Sequence, residues 1–144
     1  MKKLENCDIF YEYIEGKPDK DGKVKTTELR ITGNGDMPNF LREGNSFEPP
    51  YRGYRNVSPL RGDWHPGYLI VDISEGITSI GAGAFERSII GKLTIPSSVK
   101  VIDSLAFGEI NNNCLTCATI ISKNKMSDMV VNSKAFNKAN YIFE

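Results

Sequence analysis

The residues of this chain that could do chemistry are few and poorly grouped. The single histidine, His65, lies between Trp64 and Pro66. A lone imidazole acts as general acid or base only where a second group orients it over a substrate. Cys114-Leu115-Thr116-Cys117 has the spacing of redox and zinc motifs. A redox pair of this kind needs a βαβ context and a helix N-terminus to lower a thiol pKa, and the flanking sequence offers neither. A zinc site needs about four ligands, with only Cys7 and His65 left to complete it. Asp19-Lys20-Asp21-Gly22 invites comparison with a calcium loop. The EF-hand pattern wants an oxygen ligand at its fifth position and glycine at its sixth, where this chain has Lys23 and Val24. Arg61-Gly62-Asp63 spells a cell-adhesion tripeptide, and Gly-Asp is also ordinary turn chemistry. The expectation is a chain without catalytic residues, metal or cofactor.

A denser cluster suits contact rather than catalysis. Tyr51, Arg52, Tyr54, Arg55, Arg61, Trp64, His65 and Tyr68 all fall in one short stretch. Tyr, Trp and Arg are enriched at binding hot spots. The same side chains could instead pin their own loop over the end of the fold. Interleaved bases and aromatics can also stack on single-stranded nucleic acid, but 18 basic residues balance 18 acidic ones. With no net charge to attract phosphate, a protein partner is expected and a nucleic acid is not. No apolar run approaches the roughly 20 residues that span a bilayer, so no membrane partner is expected. Met1-Lys2-Lys3-Leu4 is followed at once by Glu5, Asn6, Cys7 and Asp8, without the apolar region of an export signal. That predicts a cytoplasmic protein, or a cell-surface one if the sequence is a piece of a longer exported chain. Three cysteines, an odd number, argue against a disulfide framework.

The elements that position these residues are mostly β. Cys7 to Ile14 and Lys25 to Thr32 are rich in β-branched and aromatic residues and alternate, which predicts two strands. Gly16 to Lys23 supplies the turn of a hairpin. Gly33-Asn34-Gly35-Asp36 reads as a second tight turn. From Met37 to Tyr68 periodicity disappears, amid Pro38, Pro49, Pro50, Pro59 and Pro66. Loops of that length inside a compact domain are unusual and often functional.

Then the chain repeats itself. Val71 to Phe85 and Leu93 to Phe107 superpose at an offset of 22, pairing Ile73 with Ile95, Ile77 with Val99, Ile80 with Ile102, Ala84 with Ala106 and Phe85 with Phe107. A fixed period of this size marks a solenoid. In each copy a short strand, a turn and a second short extended segment precede an Ala-Phe pair, whose rings are expected to stack as a column. A degraded third copy runs from Val131 to Phe136. Its Phe136 follows Phe107 at an offset of 29 instead of 22, the mark of an insertion seven positions long. Ile120 and Ile121 are expected to carry its strand, Met126 and Met129 to fill its core, and Tyr141-Ile142-Phe143 to begin a last strand at an open edge, through which a homodimer could pair.

These residues resemble the BspA-type leucine-rich repeats. In the second copy the resemblance rests on Leu93, Ile95, Pro96, Ser98, Val99, Ile102, Ala106 and Phe107. Upstream, Glu28 to Met37 is similar to the element that closes the family's N-terminal hairpin, and Pro50 to Arg55 to the aromatic element that leads into its first coil. The resemblance implies a mainly β, right-handed leucine-rich-repeat solenoid of about three short coils. Residues 1–68 would form the hairpin cap and long aromatic and arginine loop, and residues 69–144 the coils. It also implies a non-catalytic binding protein: an intracellular inhibitor or immunity-type protein, or alternatively a fragment of a surface adhesin. Asn56 to Tyr68 and the stretch from Asn111 to Ser127 depart from the family pattern, as do Ser88 and Ile110 where the family has cysteine.

Overall fold

The computed structural model describes residues 1–43, 54–62, 66–107, 118–135 and 141–143. Strands β1 (Lys2–Lys3), β2 (Asp8–Glu15) and β3 (Thr26–Asp36) open the chain, and a short antiparallel ribbon follows from β4 (Leu41–Glu43) and β5 (Tyr54–Asn56). Next come β6 (Tyr68–Ile73), β7 (Ile77–Ile80), β8 (Ile90–Ile95) and β9 (Val101–Ile102). Strand β10 (Ala118–Ser122), a single 3-10 turn at Met126–Asp128, β11 (Val130–Val131) and β12 (Tyr141–Phe143) complete the described elements. The fold is mainly β, and its principal feature is a curled, largely parallel sheet.

The hairpin forms where alternation predicts it. Strands β2 and β3 pair antiparallel from Asp8↔Asn34 to Glu15↔Thr27. At their turn, Asp19 Oδ1 accepts the backbone N–H groups of Asp21 and Lys23, each at 2.9 Å, so that carboxylate is committed to backbone in the way a turn aspartate is.

The second tight turn expected at Gly33–Asp36 is corrected: those residues are strand, the far end of β3. Glycine bends the chain here without ending it. Gly33 has φ 130°, and a Cβ on it would lie 2.0 Å from the Asp8 carbonyl oxygen. Before the bend β3 pairs with β6, Leu29↔Val71 and Ile31↔Ile73; after it, Gly35 pairs with Ile77 of β7. One strand therefore heads both parallel ladders, β3-β6-β8-β10-β12 and β3-β7-β9-β11.

The repeat copies lie on one another in register. Val71 faces Leu93 and Ile80 faces Ile102, the same partners that the sequence period pairs. Ile73, Ile77, Ile80, Ile95, Val99 and Ile102 are buried, as are both Ala-Phe pairs. The Phe85 and Phe107 rings stack with centroids 5.0 Å apart and planes 5° from parallel. Backbone bonds tie the corners: Phe85 N–H donates to Ala106 O at 2.7 Å and Phe107 N–H to Ala135 O at 2.8 Å. The degraded copy thus joins the stack, with Ala135 and Met129 buried; Phe136 lies outside the described residues and the Met126 side chain is not described.

Register also locates the insertion. Leu93 faces Ile120, an offset of 27 instead of 22, so five of the seven extra positions precede β10. Ile102 faces Val131, an offset of 29, so the other two lie between β10 and β11, where the 3-10 turn sits. The last strand begins as expected, with β12 pairing parallel to β10. Turns between the ladders are held by side chains. The Glu75 carboxylate accepts the Ser97 hydroxyl at 2.8 Å and the backbone N–H groups of Ser97 and Ser98. Asn124 donates to Ser97 O and Val99 O, both at 2.8 Å.

A cap wall and its groove as candidate functional site

The stretch from Met37 to Tyr68, which lacks periodicity, is pinned at both described ends. Phe40 donates its N–H to Ala82 O and accepts Val57 N–H at its own carbonyl. Asn56 Nδ2 donates to Gly83 O at 2.7 Å and to the buried Glu86 carboxylate at 3.1 Å. The Ser58 hydroxyl donates to Ala84 O at 2.6 Å and accepts Leu60 N–H. Tyr13 of β2 donates its hydroxyl to Pro59 O at 2.6 Å. Residues 54–62 therefore form a wall clamped over the corner Gly81–Ser88, with Leu60 fully buried. Gly81 lets the segment at Met37 and Pro38 close on the same corner: a Cβ there would lie 1.9 Å from Pro38 O.

That placement divides the predicted contact residues. Tyr51, Arg52, Trp64 and His65 lie outside the described residues, as do Asp63, Cys114 and Cys117. Tyr54 sits on β5, its backbone opposite Glu43. Arg55 is exposed on β5 opposite Arg42, and Tyr68 stands half-exposed at the start of β6. Arg61 is half-buried and donates to Asn56 O at 3.4 Å. Cys7 is half-buried, its thiol 3.9 Å from Leu4 O.

The wall closes one side of a groove of about 350 Å³. Buried Leu4 and Phe40 form its floor; Tyr11, Pro38, Val57 and Pro59 its sides. Lys3, Glu5 and Arg42 stand on the rim. Lys3 is 3.9 Å from Asp8 between exposed side chains, a contact worth about 0–1 kcal/mol. Arg42 Nη1 donates to Asn39 O and to Leu41 O. Val57 is 42% exposed, a large apolar side chain presented to solvent by an otherwise clamped segment. No periodicity signals this groove, because it draws on positions 3 to 59. Pro38 and Val57 carry no hot-spot signature of their own.

A second surface is the outer face of the long ladder. Glu12, Arg30, Asp72, Thr94 and Ile121 form one cross-strand row. Arg30 lies 2.7 Å from Glu28 and 4.0 Å from Glu12. Its hydrogen bond to Glu28, then the charge of that carboxylate, hold the guanidinium pKa above its ordinary value.

Among the described residues no three His, Cys, Asp or Glu side chains group as metal ligands, and no helix is long and apolar enough to cross a membrane. Comparison of the chain with protein-family models, curated proteins and solved structures returns no match.

Proposed function

We propose that the chain is a right-handed leucine-rich-repeat solenoid of the BspA type, of about three coils with a hairpin cap, and that it works as a non-catalytic protein-binding module. The observation that supports this is the shared register of the two ladders. Copies one period apart stack strand on strand and ring on ring, which makes a stiff scaffold whose side-chain rows repeat at a fixed spacing. Such a scaffold presents contact residues without reorganising on binding, so little ordering entropy opposes association.

The test is affinity capture from the native host with the whole chain as bait, beside the variants Arg55→Ala on the ribbon and Thr94→Arg on the sheet face. Both sites reach solvent at least in part, and far-ultraviolet circular dichroism checks that each variant is folded. The expected result is one defined protein retained by the wild type and weakened by at least one variant. Retention of no protein by the folded wild type would refute the reading.

A further inference from the structure

We infer that the cap groove receives an extended, acidic segment of a partner protein, with an aliphatic or aromatic side chain on the Leu4–Phe40 floor and a carboxylate at Arg42. The inference rests on the binding-module reading and names the chemistry of one contact.

Three observations carry it. First, about 350 Å³ is near the lower end of small-ligand pockets, roughly 300–1,000 Å³. That room suits one or two side chains of a peptide rather than a whole cofactor. Second, the polarity is layered as at protein interfaces, with an apolar floor inside a polar rim. The floor residues are buried while Val57 and Pro59 remain exposed above them. Third, the rim charge is complementary to an acid. Lys3 and Arg42 stand beside Glu5 on the rim, and because Lys3 already lies 3.9 Å from Asp8 the cation that meets an incoming acid is Arg42. Both bonds that Arg42 makes among the described residues use Nη1, which leaves Nε and Nη2, the pair that grips a carboxylate with two parallel hydrogen bonds. Those two bonds hold the guanidinium to its own segment, so less side-chain entropy is lost when the carboxylate arrives.

The experiment is selection of random heptapeptides displayed on phage against the folded wild-type chain, with counter-selection on Val57→Asp. Enriched peptides should share an acidic residue next to a large apolar one. A labelled enriched peptide, followed by fluorescence anisotropy, should bind Arg42→Glu at least about tenfold more weakly, and changing the peptide's acid to lysine should restore part of that loss. Both substitutions fall at exposed positions, and circular dichroism checks that each variant is folded. Enrichment of peptides without an acid, equal binding to Val57→Asp, or no enrichment would overturn the inference. So would a wild-type dimer in sedimentation that Val57→Asp dissociates, because the occupant would then be a second copy. A host protein captured equally by wild type and Val57→Asp would remove the groove while leaving the binding-module reading in place.

Discussion

The stacked rings of Phe85 and Phe107 make the repeat interface measurable. Both are fully buried, and a pair with centroids 5.0 Å apart and planes 5° from parallel is worth about 0.5–1.5 kcal/mol beyond the area it buries. Substituting either by leucine keeps an apolar side chain but removes the ring. Each single change should cost about 1–2 kcal/mol, between a volume-conserving swap and truncation to alanine. With a urea slope of about 1–3 kcal/mol/M, a loss of about 1.5 kcal/mol moves the midpoint by about 0.5–1.5 M. The double variant is the decisive one. Having no second ring to lose, it should be more stable than the summed single costs predict, by about 1 kcal/mol. Equilibrium urea unfolding of the four proteins, followed by circular dichroism at constant slope, gives that coupling directly. Additivity within about 0.3 kcal/mol, the ordinary behaviour of independent sites, would refute the claim that ring-on-ring contact binds one copy to the next.

Three further outcomes follow from particular contacts. Gly33→Ala forces a Cβ to within 2.0 Å of the Asp8 carbonyl at φ 130° and should cost about 3 kcal/mol or more in urea unfolding; Gly22→Ala, at φ 77° with open space around it, should cost about 1 kcal/mol. Ser58→Ala leaves Ala84 O and Leu60 N–H without their hydroxyl partner, which should cost about 1–3 kcal/mol and speed hydrogen exchange at the Leu60 amide. The Glu75 carboxyl is held below its ordinary 4.5, first by the Ser97 hydroxyl and then by the Ser97 N–H. A depressed folded pKa contributes stability that is present above the unfolded value and lost as pH falls through the folded one. The stability gap between wild type and Glu75→Gln should therefore narrow below about pH 4.5, and a gap that is flat or widens there would contradict the assignment.

Much of the repeat is legible because its signals are local and periodic. Alternation gives β2 and β3, and the offset of 22 gives the pairing of Val71 with Leu93 from the sequence alone. Even the length of the insertion follows from the position of Phe136, although only register divides it into five positions before β10 and two after. Gly33–Asp36 defeats the same approach. Glycine with positive φ serves a tight turn and a bent strand equally well, and only the partners decide: β2 and β6 on one side of the bend, β7 on the other. The cap wall is illegible for a different reason. Its segment meets Ala82, Gly83 and Ala84 from far away in the chain, through carbonyls that every residue possesses. The aromatic and arginine cluster is a compositional signal, and the described part of it divides between the wall, the ribbon and the start of β6.

Because β3 heads both ladders, the hairpin and the repeats share one sheet, and one core runs from Leu4 to Ala135. Stability and the proposed recognition are therefore hard to separate by deleting a part, and the wall offers a finer way. Along it exposure alternates: Val57 and Pro59 face out, Ser58 and Leu60 face in. The outward pair lines the groove, while the inward pair holds the Gly81–Ser88 corner. Neighbouring residues in one clamped segment thus do different work. Substitutions at 58 and 60 should move the unfolding midpoint, whereas a substitution at 57 should leave the midpoint nearly unchanged and alter only what the groove retains. A Val57 variant that unfolds as readily as a Ser58 variant would mean that the wall is wholly structural, and the contact surface would then have to be sought on the outer rows of the sheet.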